Sequence, residues 1–132
     1  MNINYTNTGL WILRVVAALI MLQTLFFKFT GAEESIYIFS KLGMEPWGRI
    51  GTGVLELIAS ILILYPRTTA LGAVLAMGLM GGAIWFHITK LRIVVMNDGG
   101  QLFIYALLVF ISSAILALVY RGDLLAIAKK YT

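Results

Sequence analysis

The chain has 132 residues, is 61% hydrophobic and 12% charged, and has a mean hydropathy of +0.93. A soluble domain is roughly 45–50% apolar and roughly 25% charged, and one this small buries only about two-thirds of its surface, so both a water-soluble globule and a disordered chain are excluded. The formal charge of +4 is spread over the ends of apolar runs, where it faces lipid head groups, and forms no basic cluster of the kind that binds nucleic acid.

Residues 1–8 carry no Lys or Arg, and the apolar run after them is longer than the roughly 7–15 residues of a signal-peptide core. This predicts a retained first membrane helix over about residues 9–27. A membrane helix needs about 20 apolar residues. Three further runs qualify, at about 47–65, 69–89 and 101–120. The loop from Lys28 to Pro46 is polar and charged, but Ile36, Ile38, Phe39 and Leu42 give Ser35–Leu42 an apolar side, predicting a short interfacial helix. Tyr65-Pro66-Arg67 is a tight turn, because the proline ends the helix before it. Asn97-Asp98-Gly99-Gly100 is a second turn, and Asp98 is placed to favour the N-terminus of the fourth span. From Arg121 onward, Leu124, Leu125 and Ile127 with Lys129 and Lys130 predict another short interfacial helix. The short loops after spans two and three force antiparallel neighbours. The expected fold is an all-α membrane protein, one domain over residues 1–132, built as an antiparallel four-transmembrane-helix bundle. With Lys28 and Arg49 set aside as buried, the two-lysine tail favours cytoplasmic termini.

Ionisable groups inside a bilayer are costly and mark function. Glu56 lies about halfway along span two, too deep to reach either surface, and must be paired or protonated. Arg49 is seven residues earlier on nearly the same face. Arg14, Met21 and Lys28 share a face of span one, with Gln23 and Thr24 at its edge. Met77, Met80, Ile84 and His87 form a stripe on span three, and Asp98, Gln101, Tyr105 and Ser112 one on span four. Turned inward, these stripes gather Lys28, Arg49, His87, Asp98 and Gln101 at one end, with Glu56 and Tyr105 deeper and Trp47, Trp85 and Phe86 near the mouth. Plainer structural readings stand beside this one. Arg14 snorkels; Lys28 and Arg49 anchor at the interface; the methionines pack the core; the tryptophans form the interfacial belt; and Glu56 pairs with Arg49 or Arg14. Gly78 with Gly82, and Gly72 with Ala76, match the small-xxx-small pattern of close helix contacts.

With no cysteine, the chain has no disulfide, thiol exchange, cysteine-held zinc or iron–sulfur cluster, and one histidine is too few for most transition-metal sites. No catalytic template is complete. The convergent polar groups suit the carbonyl head of a quinone or another lipid-soluble molecule.

Phe27-Lys28-Phe29-Thr30-Gly31, then Trp47-Gly48-Arg49-Ile50-Gly51-Thr52-Gly53-Val54-Leu55-Glu56, then His87 and Asp98-Gly99-Gly100, resemble the DoxX family of small four-span membrane proteins over nearly the whole chain. The resemblance implies a four-helix bundle in a bacterial inner membrane and a link to quinone-dependent redox complexes. Related folds in animals assist the assembly of other membrane proteins. The leading reading is a redox-associated subunit, at most part of a quinone-linked oxidoreductase. In it Glu56 and His87 handle protons or hydrogen-bond a carbonyl, Lys28 and Arg49 supply positive charge, and Asp98, Gln101 and Tyr105 complete the ligand site. The alternatives are a scaffold or assembly factor acting on a membrane partner or on a second copy, and a small proton-coupled transporter working as a dimer.

Overall fold

The computed structural model describes residues 5–91, 100–122 and 125. The described helices are α1 (Tyr5–Thr30), α2 (Glu33–Lys41), α3 (Trp47–Leu64), α4 (Thr69–Phe86) and α5 (Gln101–Val119), and a π-helical turn, His87–Leu91, prolongs α4. Four stretches are long and apolar enough to cross a membrane: Thr8–Thr30, Trp47–Leu64, Thr69–Lys90 and Gln101–Val119. They coincide with the four expected spans. Asp98 and most of the C-terminal segment, including Lys129 and Lys130, lie outside the described residues.

The spanning helices form a ring: α1 packs on α3 and α5, and α4 packs on the same two. The ends of α1 and α4 and the starts of α3 and α5 lie at one end of the bundle, so all four contacts are antiparallel. The centre is filled by small side chains, Ala17, Ala59, Ala73 and Ala76, which let the helices approach closely, and by Ile63, Val109 and Leu116, all fully buried. The outward faces carry large apolar groups such as Ile12, Leu19, Phe26, Ile61 and Leu118, as a surface facing hydrocarbon requires.

α2 begins with Glu33 and Glu34 and ends with Lys41, each charge suited to its end of the helix dipole. Its entry and exit are fixed by paired helix stops. Gly31 and Gly43 sit at φ 70° and 73°, a backbone region open to glycine. The Ala32 and Met44 N–H groups then donate back to Phe27 O and Phe39 O at 3.0 and 2.8 Å. The predicted interfacial helix is thus present, but its buried residues Ser35 and Phe39 face the bundle and roof it over at one end.

At the opposite end, the last four carbonyls of α3 run past the regular helical ladder. Each is satisfied. Ile61 O accepts from the Tyr65 N–H at 3.1 Å and Leu62 O from the Thr68 hydroxyl at 2.8 Å. Ile63 O accepts from Arg14 Nε at 2.9 Å and from the Thr69 hydroxyl at 3.0 Å, and Leu64 O from the Arg14 guanidinium at 3.2 Å. Arg14 is only 2% exposed, and its guanidinium lies 3.6 Å over the Trp11 ring. It is a helix cap between spans rather than a snorkelling side chain.

Of the two glycine pairs, Gly72 makes the close approach: an added Cβ would stand 2.7 Å from Ile63 N and 2.9 Å from Ala59 O. Gly72→Ala is expected to push α3 and α4 apart and cost about 1–3 kcal/mol. Gly78 has nothing within 4 Å, so Gly78→Ala should be neutral or stabilise by up to about 1 kcal/mol through helix propensity. Melting of both variants in mild detergent checks the contrast; equal shifts would contradict the assigned contact.

Candidate functional site

A cavity of about 560 Å³ lies beneath α2, among the last turns of α1 and α4 and the first turns of α3 and α5. Its floor is Met21, Met80 and Ala106, which belong equally to the packed core. Its wall is mainly apolar, with Ile20, Phe27, Ile38, Phe39, Leu79 and Phe86. A few polar groups converge on it, the arrangement typical of small-molecule sites.

Glu56 is the deepest of them. It is 1% exposed and lines the cavity from the middle of α3. Met21, Thr24 and Lys28 follow one another along one face of α1, and the last two reach the Glu56 carboxylate from the same side. Thr24 Oγ1 is 2.6 Å from Oε2, and Lys28 Nζ is 2.8 Å from Oε1. The lysine contact supplies charge, but its angle lies outside hydrogen-bond geometry, so buried Oε1 accepts no aligned hydrogen bond. The Thr24 hydroxyl also faces Met21 O at 3.0 Å. Its single proton therefore serves either a carboxylate at Glu56 or, with Glu56 protonated and donating, the Met21 carbonyl.

Two further groups border the same space. His87 is 4% exposed, opens the π-helical turn and meets the Phe103 ring edge-on at 5.6 Å. π-helical turns recur at functional sites because the extra residue re-aims the side chains around it. Tyr105 lines the cavity from α5, and its hydroxyl oxygen accepts from Gln101 Nε2 at 2.7 Å. The tyrosine O–H is thereby oriented for donation elsewhere.

The structure brings Lys28, Glu56, His87 and Tyr105 to one cavity and separates others from it. Gln101 is exposed and acts behind Tyr105. Arg49 lies outside the lining: its Nε donates to Glu45 Oε1 and Oε2 at 2.9 and 3.0 Å, and its Nη1 donates to Lys28 O. It therefore ties α3 to the end of α1 and holds the backbone of the lysine that reaches Glu56. With Arg14 and Arg49 so engaged, neither pairs with Glu56. Trp47 and Trp85 are 66% and 64% exposed and point outward, whereas Phe86 borders the cavity. Asp98 lies outside the described residues. Sequence reasoning missed the roles of Glu33, Glu34 and Ser35 in the lining, and of Glu45 as the partner of Arg49. Glu45 lies in the turn before α3, so helical spacing gave no signal for its pairing with Arg49.

Four antiparallel spans around a roofed cavity with a buried carboxylate define a multi-pass membrane protein with an internal polar site. The sequence profile of the DoxX-like family matches residues 12–112, a stretch that includes Lys28, Arg49, Glu56, His87 and Tyr105, and the chain belongs to that family. No curated protein and no solved structure matches the chain.

Proposed function

We propose that the protein binds a quinone-like, lipid-soluble ligand in this cavity and serves as the membrane subunit of a redox system in a bacterial inner membrane. Both termini then face the cytoplasm, and the α2 end faces away from it. The observation that carries the reading is the buried Glu56 carboxylate, ion-paired to Lys28 at 2.8 Å, in the lining of a mainly apolar cavity. A quinol O–H donates to Glu56, while a quinone carbonyl accepts from Lys28 or from the Tyr105 hydroxyl. Release and uptake of the quinol proton fall to Glu56, for which Thr24 supports either protonation state. His87, at the rim of the same space, is the second proton-handling group. Arg49 is a positioning residue that acts through Lys28.

Small molecules extracted from the protein after purification in mild detergent test this by mass spectrometry. The expected result is a quinone near one per chain, reduced about tenfold or more in Glu56→Gln, as loss of one charge-assisted hydrogen bond implies. Bulk phospholipid alone, in host-membrane proportion, would set the reading aside and favour the scaffold.

A further inference from the structure

We infer that the cavity has its entrance in the bilayer, through a gap between α3 and α4 at Gly78 and Gly82 that takes the apolar tail of a membrane-dissolved amphiphile. This rests on the cavity being a ligand site and adds the route by which the ligand arrives.

α3 and α4 are in backbone contact at Gly72. Further along α4, Gly78 and Gly82 stand on the outer side of the helix, six and ten residues beyond Gly72. Gly78 and Gly82 are both exposed, and a Cβ added at either would meet nothing within 4 Å, yet both line the cavity. The same space reaches Thr52 and Glu56 on α3, and Leu55 beside them is 42% exposed. The cavity therefore runs from the outer face of α4 to the buried carboxylate. Depth identifies what lies outside. Gly78 is nine residues from Thr69 and Glu56 eight from Leu64, so both stand about 12–14 Å from the α3–α4 turn. Within a hydrocarbon core about 30 Å thick, this level is near the middle. The gap opens on acyl chains, and what enters from there is an apolar chain that leaves its polar head to find Glu56 and Lys28. Large side chains at Gly78 and Gly82 would close the gap, which gives both glycines a reason unrelated to helix contact.

The test uses the full chain in liposomes containing an isoprenoid quinone analogue with a photoactivatable diazirine in its tail, with labelled peptides read by mass spectrometry. Wild type is expected to label on the cavity faces of α3 and α4. Gly82→Trp should lower that labelling about tenfold, because blocking even ~60 Å² of tail burial has that effect. Gly51→Trp, at an exposed glycine outside the cavity, should label as wild type. Unchanged detergent melting of Gly82→Trp and full labelling of Gly82→Ala would assign the loss to the plug rather than to misfolding. Undiminished labelling in Gly82→Trp would overturn the entrance while leaving the site reading intact. Absence of cavity labelling in wild type would overturn both. A Gly82→Cys variant that forms disulfide dimers in liposomes would show the gap covered by a second copy, and would also overturn the entrance.

Discussion

Lys28→Met is expected to lower the stability of the detergent-solubilised protein by about 3–5 kcal/mol, the cost of leaving a buried carboxylate without its counter-charge. Glu56 is 1% exposed, and Lys28 is the cation in contact with it, so the loss falls on a buried carboxylate. Glu56→Gln should cost less. The amide keeps the shape and can still meet Thr24, and the stranded cation is 16% exposed, close enough to the cavity mouth to find solvent. The double variant Lys28→Met with Glu56→Met should return to within about 1 kcal/mol of wild type, since replacing a buried ion pair by apolar groups is often neutral or stabilising. Melting of the four proteins as a double-mutant cycle measures this coupling. Additive losses would show that the two residues do not act as a pair. Recovery in the double variant would show that the pair is retained at no gain in stability, as a pair kept for chemistry should be.

Arg14→Met should cost about 2–4 kcal/mol, from two charge-assisted hydrogen bonds to α3 carbonyls, the one to Ile63 fully buried. The Ile63 carbonyl keeps the Thr69 hydroxyl, whereas Leu64 O loses the guanidinium that meets it. Arg14→Lys should recover only part of the loss. An ammonium is a point charge and cannot span two successive carbonyls as the guanidinium fork does. The α3–α4 turn at Tyr65–Thr68 should open with the cap, so limited proteolysis there should quicken in Arg14→Met. Wild-type melting and an unchanged cleavage pattern would contradict the assignment of Arg14 as a cap.

The spans were legible because apolar runs of membrane length are bounded by Pro66 and by charged loops. Seven-residue spacing placed Lys28 near Glu56 and brought His87 and Tyr105 to the same end of the bundle. Helical periodicity gives a face, however, and not the partner across it. Arg49 and Arg14 were the expected partners of Glu56, whereas Lys28 pairs with it, because both arginines go to carbonyls that no side-chain pattern displays. The small-xxx-small pattern failed to separate Gly72 from Gly78 and Gly82 for a similar reason. The pattern marks where helices can meet, while the actual meeting depends on which side each glycine faces: Gly72 turns on the α3 backbone, Gly78 and Gly82 on open space. The role of α2 was half visible: its amphipathic spacing is plain, but whether the apolar side lies on lipid or on protein depends on the space left open by α1, α4 and α5.

The most direct test of the central claim is titration of a water-soluble short-chain quinone into the wild type and into the Lys28→Met, Glu56→Met double variant, in detergent, by calorimetry. The double variant is expected to melt with wild type, so a difference in binding reports the polar site and not the fold. Saturable binding near one quinone per chain in wild type, weakened about tenfold or more in the double variant, is the predicted result. Equal binding by both proteins, or binding by neither, would contradict a quinone site built on Glu56 and Lys28.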